Sequence, residues 1–191
     1  DPGPEEEDEG IIESGGVGTR GRAAVSEEAP GALFAADMRG KSRSRWIDAA
    51  IDQMLLSNRV AARCLHEHGA TACTDITGFG LAGHLFEMLE PSCAEVELTL
   101  DAVTALPGSI ELLDSGIRSS LHADNRRVAT GVFNQEAFGR DPRLELLFDP
   151  QTAGGLLAAL PESRANACLE ALHARGLRDA AIIGRVRHSA A

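Results

Sequence analysis

The sequence predicts an α+β or α/β domain in which helices cover a sheet, and three observations carry that reading. Segments with apolar residues at helical spacing are interspersed with short apolar or alternating segments, the pattern of a layered domain. No internal repeat or heptad array is present. The chain has 191 residues, 43% of them hydrophobic, which suits one packed domain with or without a tail.

Residues 1–30 read as an acidic flexible lead or linker. Asp1 to Glu9 is acidic and contains proline, and Gly15-Gly16-Val17-Gly18 has neither helical nor strand period. Residues 44–69 predict the strongest helix. Ser44 is its cap, Ile47, Ile51, Met54, Leu55, Ala62 and Leu65 form its apolar stripe, and Gly69 is its stop. Asn58 falls on that stripe, so it is either hydrogen-bonded within the core or turned to a site at the helix edge.

Ala70 to Ile76 predicts a strand, broken by Gly78-Phe79-Gly80. Leu81 to Glu90 predicts a helix ended by Pro91. Val96, Leu98 and Leu100 alternate with polar residues as a half-buried strand does. Pro107 to Leu113 predicts a short helix, and 115–143 is the least regular stretch. Leu144 to Phe148 and Leu156 to Leu160 predict strands separated by a loop, Asp149 to Gly155. Pro161 to Arg175 predicts a helix with Ala165, Cys168, Leu169 and Leu172 on one face, and Ala180 to Val186 a last strand.

Charge and composition exclude several function classes. The formal net charge is −11, so a surface that neutralises nucleic-acid phosphates is not expected. The excess is uneven: net −7 in residues 1–30 and net −4 in 31–191. No apolar run approaches the ~18 residues of a membrane helix. The acidic start does not fit a secretory or organellar targeting peptide. Cys64, Cys73, Cys93 and Cys168 form no Cys-x-x-Cys pair, so separate reduced thiols are expected and a structural zinc site is not. His66 and His68 lack the mutual spacing of a helical zinc pair and read as surface residues, and Cys73 as a packing residue. Lys41 is the single lysine, so any lysine mechanism has one candidate.

Two loops could carry chemistry. The first, Cys73 to His84, runs strand, carboxylate, hydroxyl, two glycines, helix. Amides at a helix N-terminus can bind phosphate, Gly78 and Gly80 permit close approach, and Asp75 could bind Mg²⁺. The alternative is that Asp75 and Thr77 cap the next helix. Neither a P-loop nor a dinucleotide fingerprint is present. The second loop, Asp149 to Gly155, is either a tight hairpin-like connection or a second backbone cradle facing the first. His84 reads as a core or supporting residue.

Ala72 to His84 and Asp149 to Leu157 resemble the two signature segments of selenophosphate synthetase, also called selenide, water dikinase. Met54-Leu55-Leu56-Ser57-Asn58-Arg59 and Ile183-Gly184-Arg185-Val186 fit the same family. Phe34-Ala35-Ala36-Asp37-Met38-Arg39-Gly40-Lys41 and Gly116-Ile117-Arg118-Ser119-Ser120-Leu121 resemble its variant fused to an NADH dehydrogenase-like domain. The resemblance covers about residues 31–188 and is to the family's C-terminal half.

It implies a PurM C-terminal-like α/β sandwich over residues 31–191, with a roughly four-stranded mixed sheet covered by helices. It implies a kinase-type transferase of selenium metabolism that makes selenophosphate from selenide and ATP with Mg²⁺. Asp75 matches a metal aspartate, and Thr74, Thr77, Gly78, Phe79 and Gly80 match the ATP-phosphate loop around it. Asp149, Gln151, Thr152, Gly154 and Gly155 match the second loop. The family's reactive cysteine or selenocysteine and its lysine belong to the N-terminal half, so no catalytic residue is assigned here. The chain alone is expected to be incomplete, and to be completed by that half or by a full paralogue in a homo- or heterodimer. The alternatives are a non-catalytic domain acting in dimerisation or regulation, or another PurM-like ATP-dependent enzyme. Phe79 and the Asp149 loop argue against the last. The expected location is cytoplasmic, with a plastid as the other candidate, and neither nucleic acid nor membrane is an expected partner.

Overall fold

In the computed structural model, which describes residues 21–25, 30–92, 94–152 and 154–188, five strands form one sheet. They are β1 (Gly21–Val25), β2 (Ala72–Asp75), β3 (Ala94–Leu98), β4 (Leu156–Pro161) and β5 (Ala181–His188), in the order β2-β4-β1-β5-β3. The expected helix-covered α/β sandwich is present, and four of its strands lie within 31–191. Two details differ from expectation: a fifth strand joins them, and every pairing among the described residues is antiparallel rather than mixed.

The fifth strand comes from the stretch expected to be a flexible lead. Gly21–Val25 sits between β4 and β5 and pairs with both. Its backbone is paired along both edges, as in an inner strand. Residues 1–20 and 26–29 lie outside the described residues.

Eight α-helices are described: α1 (Pro30–Asp37), α2 (Ser44–Met54), α3 (Arg59–Glu67), α4 (Gly80–Leu89), α5 (Ser109–Asp114), α6 (His122–Asn125), α7 (Pro142–Leu146) and α8 (Glu162–Ala174). β4 alternates between two apolar layers. Leu157 joins Ile76, Leu81, Leu85 and Phe148 on one side. Ala158 and Leu160 join Cys64, Leu65, Ala165, Cys168 and Leu172 on the other. The sheet is therefore covered on both faces, by α4 and its neighbours and by α3 with α8. A third cluster, with Leu33, Trp46, Ala50, Leu112 and Ile117, ties α1, α2 and α5 together.

The expected helix over 44–69 is two helices. Trp46 and Ala50 of α2 bury into the third cluster, whereas Cys64 and Leu65 of α3 bury against β4 and α8. One straight helix cannot serve both, so the chain turns at residues 55–58, where Leu55 and Leu56 are exposed. Ser44 is the first residue of α2 rather than its cap; Arg43 holds the cap position and no side chain caps it.

Leu144 to Phe148, expected as a strand, is largely α7. Pro142 sits at the first helical position, and Asp141 accepts a hydrogen bond from the Arg143 amide at 2.9 Å. Leu144, Leu146, Leu147 and Phe148 are all buried, Glu145 within the run turns to Arg118 and Arg126, and so short a largely apolar run does not by itself distinguish strand from buried helix. α1 was not marked by any period, because its Ala-rich sequence is buried on several sides. Among the described residues, no helix is long and apolar enough to cross a membrane.

Candidate functional site

The two signature loops lie against each other. The Ile76 amide donates to the Gly155 carbonyl at 2.9 Å, and the Gln151 amide donates to the Thr77 carbonyl at 3.0 Å. A Cβ on Gly154 would fall 2.5 Å from the Ile76 carbonyl oxygen, so this strand of contacts closes only over glycine. Gly80 has φ +70°, and a Cβ there would sit 3.0 Å from the carbonyl oxygens of Leu147 and Asp149. The second loop connects helix α7 to β4, so it is not a hairpin, and it does face the first loop.

Two side chains brace this arrangement from outside the motifs. Asn125 of α6 donates through Nδ2 to the Gly78 carbonyl at 2.8 Å and to the Phe148 carbonyl at 3.1 Å. Asn58 donates to the Gly154 carbonyl at 3.0 Å, which settles its place on the helix stripe: it turns to the loop at the helix edge. Asn125 was not legible in the sequence, since its stretch carries no period.

His84 is buried in α4. Its Nε2 accepts the Thr77 amide at 3.0 Å, so the ring proton sits on Nδ1, which donates to Glu87 at 3.0 Å. The Thr77 hydroxyl lies 3.0 Å from the same Nε2. Phe79 is exposed, its ring centroid 5.7 Å from that of His84. The cap position of α4 is Phe79 and no side chain caps the helix, so Asp75 and Thr77 do not act as its caps.

Asp75 ends β2 with its side chain exposed, and Thr74 is half-buried beside it. Register places Asp75 opposite Leu156 and Cys73 opposite Ala158. Cys73 is exposed rather than packed, because it lies on the edge strand of the sheet. Partial burial and the Asp75 charge hold its thiol above the usual range.

The α4 N-terminus is only partly free for an anion. The Gly80 amide is donated to the Thr77 carbonyl and the Ala82 amide to the Leu147 carbonyl. The Gly78 and Phe79 amides donate to no backbone partner among the described residues, and a Cβ on Gly78 would meet nothing within 4 Å. The open edge of the loop is thus Asp75, Gly78 and Phe79.

Asp149 is elsewhere. It is fully buried and points away from that edge, accepting the Ala32 amide on Oδ2 at 2.9 Å, with the Gly31 amide as a second donor. These are first-turn amides of α1, so the carboxyl supplies the acceptor at that helix N-terminus. Among the described residues Oδ1 has no hydrogen-bond partner, and burial pushes the carboxyl up to about 7. Gln151 is buried and donates to the Asp149 carbonyl at 3.3 Å, while Thr152 is exposed.

For Mg²⁺ the donor set is one exposed carboxylate, Asp75. Among the described residues no cluster of three His, Cys, Asp or Glu ligands surrounds it. Mg²⁺ commonly takes one or two carboxylates and completes its shell with water and substrate phosphate oxygens, so Asp75 suits a metal carried on a phosphate.

The family model for the AIR synthase related protein, C-terminal domain, matches residues 48–190. Among curated proteins, the chain is 41% identical over 138 residues to a selenide, water dikinase of Geobacter metallireducens, covering 72% of this chain and 40% of that protein. It is 38% identical over 148 residues to one of Pelobacter propionicus, covering 77% and 42%. The chain therefore spans less than half the length of these relatives. Among solved structures, the hydrogenase maturation protein HypE matches with a TM-score of 0.56 at 22% identity, covering 89% of this chain and 44% of that one. HypE in complex with ATP matches with a TM-score of 0.55 at 22% identity, covering 87% and 42%. These two likenesses bear on the fold, and they agree with the family match. The chain belongs to the AIR synthase related family, as its C-terminal, PurM-like domain, and in sequence it is similar to the C-terminal part of selenide, water dikinases.

Proposed function

We propose that this domain serves an ATP- and Mg²⁺-dependent selenophosphate synthetase, contributing metal and phosphate-loop contacts to phosphoryl transfer onto selenide. One observation carries the reading: the two signature segments interlock through Thr77–Gln151 and Ile76–Gly155, and leave Asp75 and the Gly78–Phe79 amides on the open edge. Similarity to selenide, water dikinases supplies the substrate class.

Asp75 would hold Mg²⁺, whose positive charge would offset that of the ATP phosphates. Gly78 and Phe79 would present amides to a phosphate oxygen, and Gly78 lets it approach the backbone. Thr74 and Thr77 keep the strand end and loop in place, Thr77 through His84. Gly80, Gly154 and Gly155 allow the second loop to pack against the first, and Asp149, Gln151 and Thr152 shape that loop. In this reading the domain works with an N-terminal half or a full paralogue, in a dimer, in the cytoplasm.

The test is Mg²⁺-dependent binding of a fluorescent ATP analogue to the chain, in the parent and in Asp75→Asn. The parent should bind more tightly with Mg²⁺ than without, and Asp75→Asn should lose that difference while keeping the same circular dichroism. An unchanged Mg²⁺ dependence in the variant removes Asp75, and with it the reading.

A further inference from the structure

Away from the loops, three ligand-type side chains meet between α3 and α8. Cys64 and His68 are four residues apart at the end of α3 and so share a face. Cys168 reaches them from α8, 104 residues later in the chain. The two sulfurs and a ring nitrogen of His68 all lie within 4.8 Å of one another. Cys64 Sγ is 3.8 Å from His68 Nδ1. Both thiols are free, as expected from the sequence, but they are not separate, and His68, expected at the surface, has a half-buried ring.

We propose that Cys64, His68 and Cys168 form a Cys₂His site for a thiophilic cation, Zn²⁺, whose fourth ligand would be water. Tetrahedral Zn²⁺ with ordinary Zn–S and Zn–N bonds separates its ligand atoms by about 3.5–3.8 Å. The Cys64–His68 separation already matches, and the widest pair must close by about an ångström. Soft thiolates with an imidazole select Zn²⁺ over the hard Mg²⁺ that Asp75 suits.

The Cys64 carbonyl can only accept, so the His68 Nδ1–H donates to it, at 2.8 Å. As free thiols, Cys64 and Cys168 bring one proton each. Binding replaces these protons: Zn²⁺ and two thiols give a zinc dithiolate and two H⁺, while the His68 proton moves to Nε2 as Nδ1 takes the metal. Arg175, held by Glu67 at 2.6 Å, lies at the C-terminal end of α8. The site joins α3 to α8 over one face of the sheet, a structural role distinct from the signature loops.

The experiment uses the chain stripped by a chelator and titrated with Co²⁺, then Zn²⁺. One Co²⁺ per chain should bind with a sulfur-to-cobalt absorption band and intense visible bands, and Zn²⁺ should displace it. Zn²⁺ should protect Cys64 and Cys168, but not Cys73, from alkylation mapped by mass spectrometry. His68→Gln should weaken Zn²⁺ by about ten-fold or more. The parent's alkylation pattern does not depend on how any variant folds. If Zn²⁺ leaves it unchanged, or the cobalt band survives in both Cys64→Ala and Cys168→Ala, the cluster is a pair of packed thiols and the proposal fails.

Discussion

His84 Nε2 accepts the Thr77 backbone amide at 3.0 Å, and this one bond joins the buried face of α4 to the loop that carries the signature. Glu87 accepts the proton on the other ring nitrogen, so the tautomer and the ring orientation are both held. His84→Phe keeps an aromatic ring but leaves a loop amide without its acceptor. It should destabilise the chain by about 1–3 kcal/mol, read from urea unfolding. A change below about 0.5 kcal/mol would mean that the loop keeps its shape without His84.

Gly78 and Gly80 are two residues apart and predict opposite outcomes. Gly80 combines φ +70° with carbonyl oxygens 3.0 Å from any Cβ, so Gly80→Ala should cost about 2 kcal/mol or more. A Cβ on Gly78 meets nothing within 4 Å, so Gly78→Ala should unfold like the parent. Gly78→Ala should nonetheless weaken binding of the ATP analogue, because its methyl would occupy the space left for a phosphate. Equal stability losses in the two variants would contradict the geometry.

Asn125 holds the Gly78 and Phe148 carbonyls with one amide. Asn125→Ala strands both acceptors and should lower stability by about 1–3 kcal/mol. Its second effect should be faster hydrogen exchange in the 77–80 segment, measured peptide by peptide. Exchange that quickens elsewhere but not there would place the support of the loop in other contacts.

Asp149 gives a pH dependence whose sign follows from its surroundings. The folded carboxyl lies at about 7, against an ordinary 3.8. Between those values the folded state keeps a proton that the unfolded chain has released, so stability falls as pH rises through the window and levels above it. His122, whose burial holds its imidazole below the usual range, works in the opposite sense, so the variant must be compared with the parent. Asp149→Asn should remove a decline on the order of a few kcal/mol between about pH 4 and pH 7, read from urea midpoints. An unchanged slope would mean that Asp149 does not titrate in this range.

Most helices, four of the five described strands and both loops were legible in the sequence, since each depends on local pattern: apolar spacing in α4 and α8, alternation in β3, glycines between strand and helix. The acidic charge said less, because most of it lies in residues 1–30, and the recognised region is near balance. Misreadings came where burial has several directions. Leu144 to Phe148 alternates Leu-Glu-Leu like a strand, yet lies mostly in a helix that turns Glu145 to Arg118 and Arg126, while the stripe of 44–69 serves two separate cores and broke into α2 and α3.

The sequence by itself determined the family segments and the residue types that can meet a phosphate or Mg²⁺, because those depend on chemistry at fixed local spacing. Tertiary structure alone decided which of them face outward. Asp75 ends an exposed edge strand, while Asp149, of the same chemistry, is turned inward to the amides of α1. It alone brought Cys168 beside Cys64 and His68, and Asn125 beneath Gly78. A side chain's partner across a hundred residues is set by how helices pack on the sheet, and no local period records that packing.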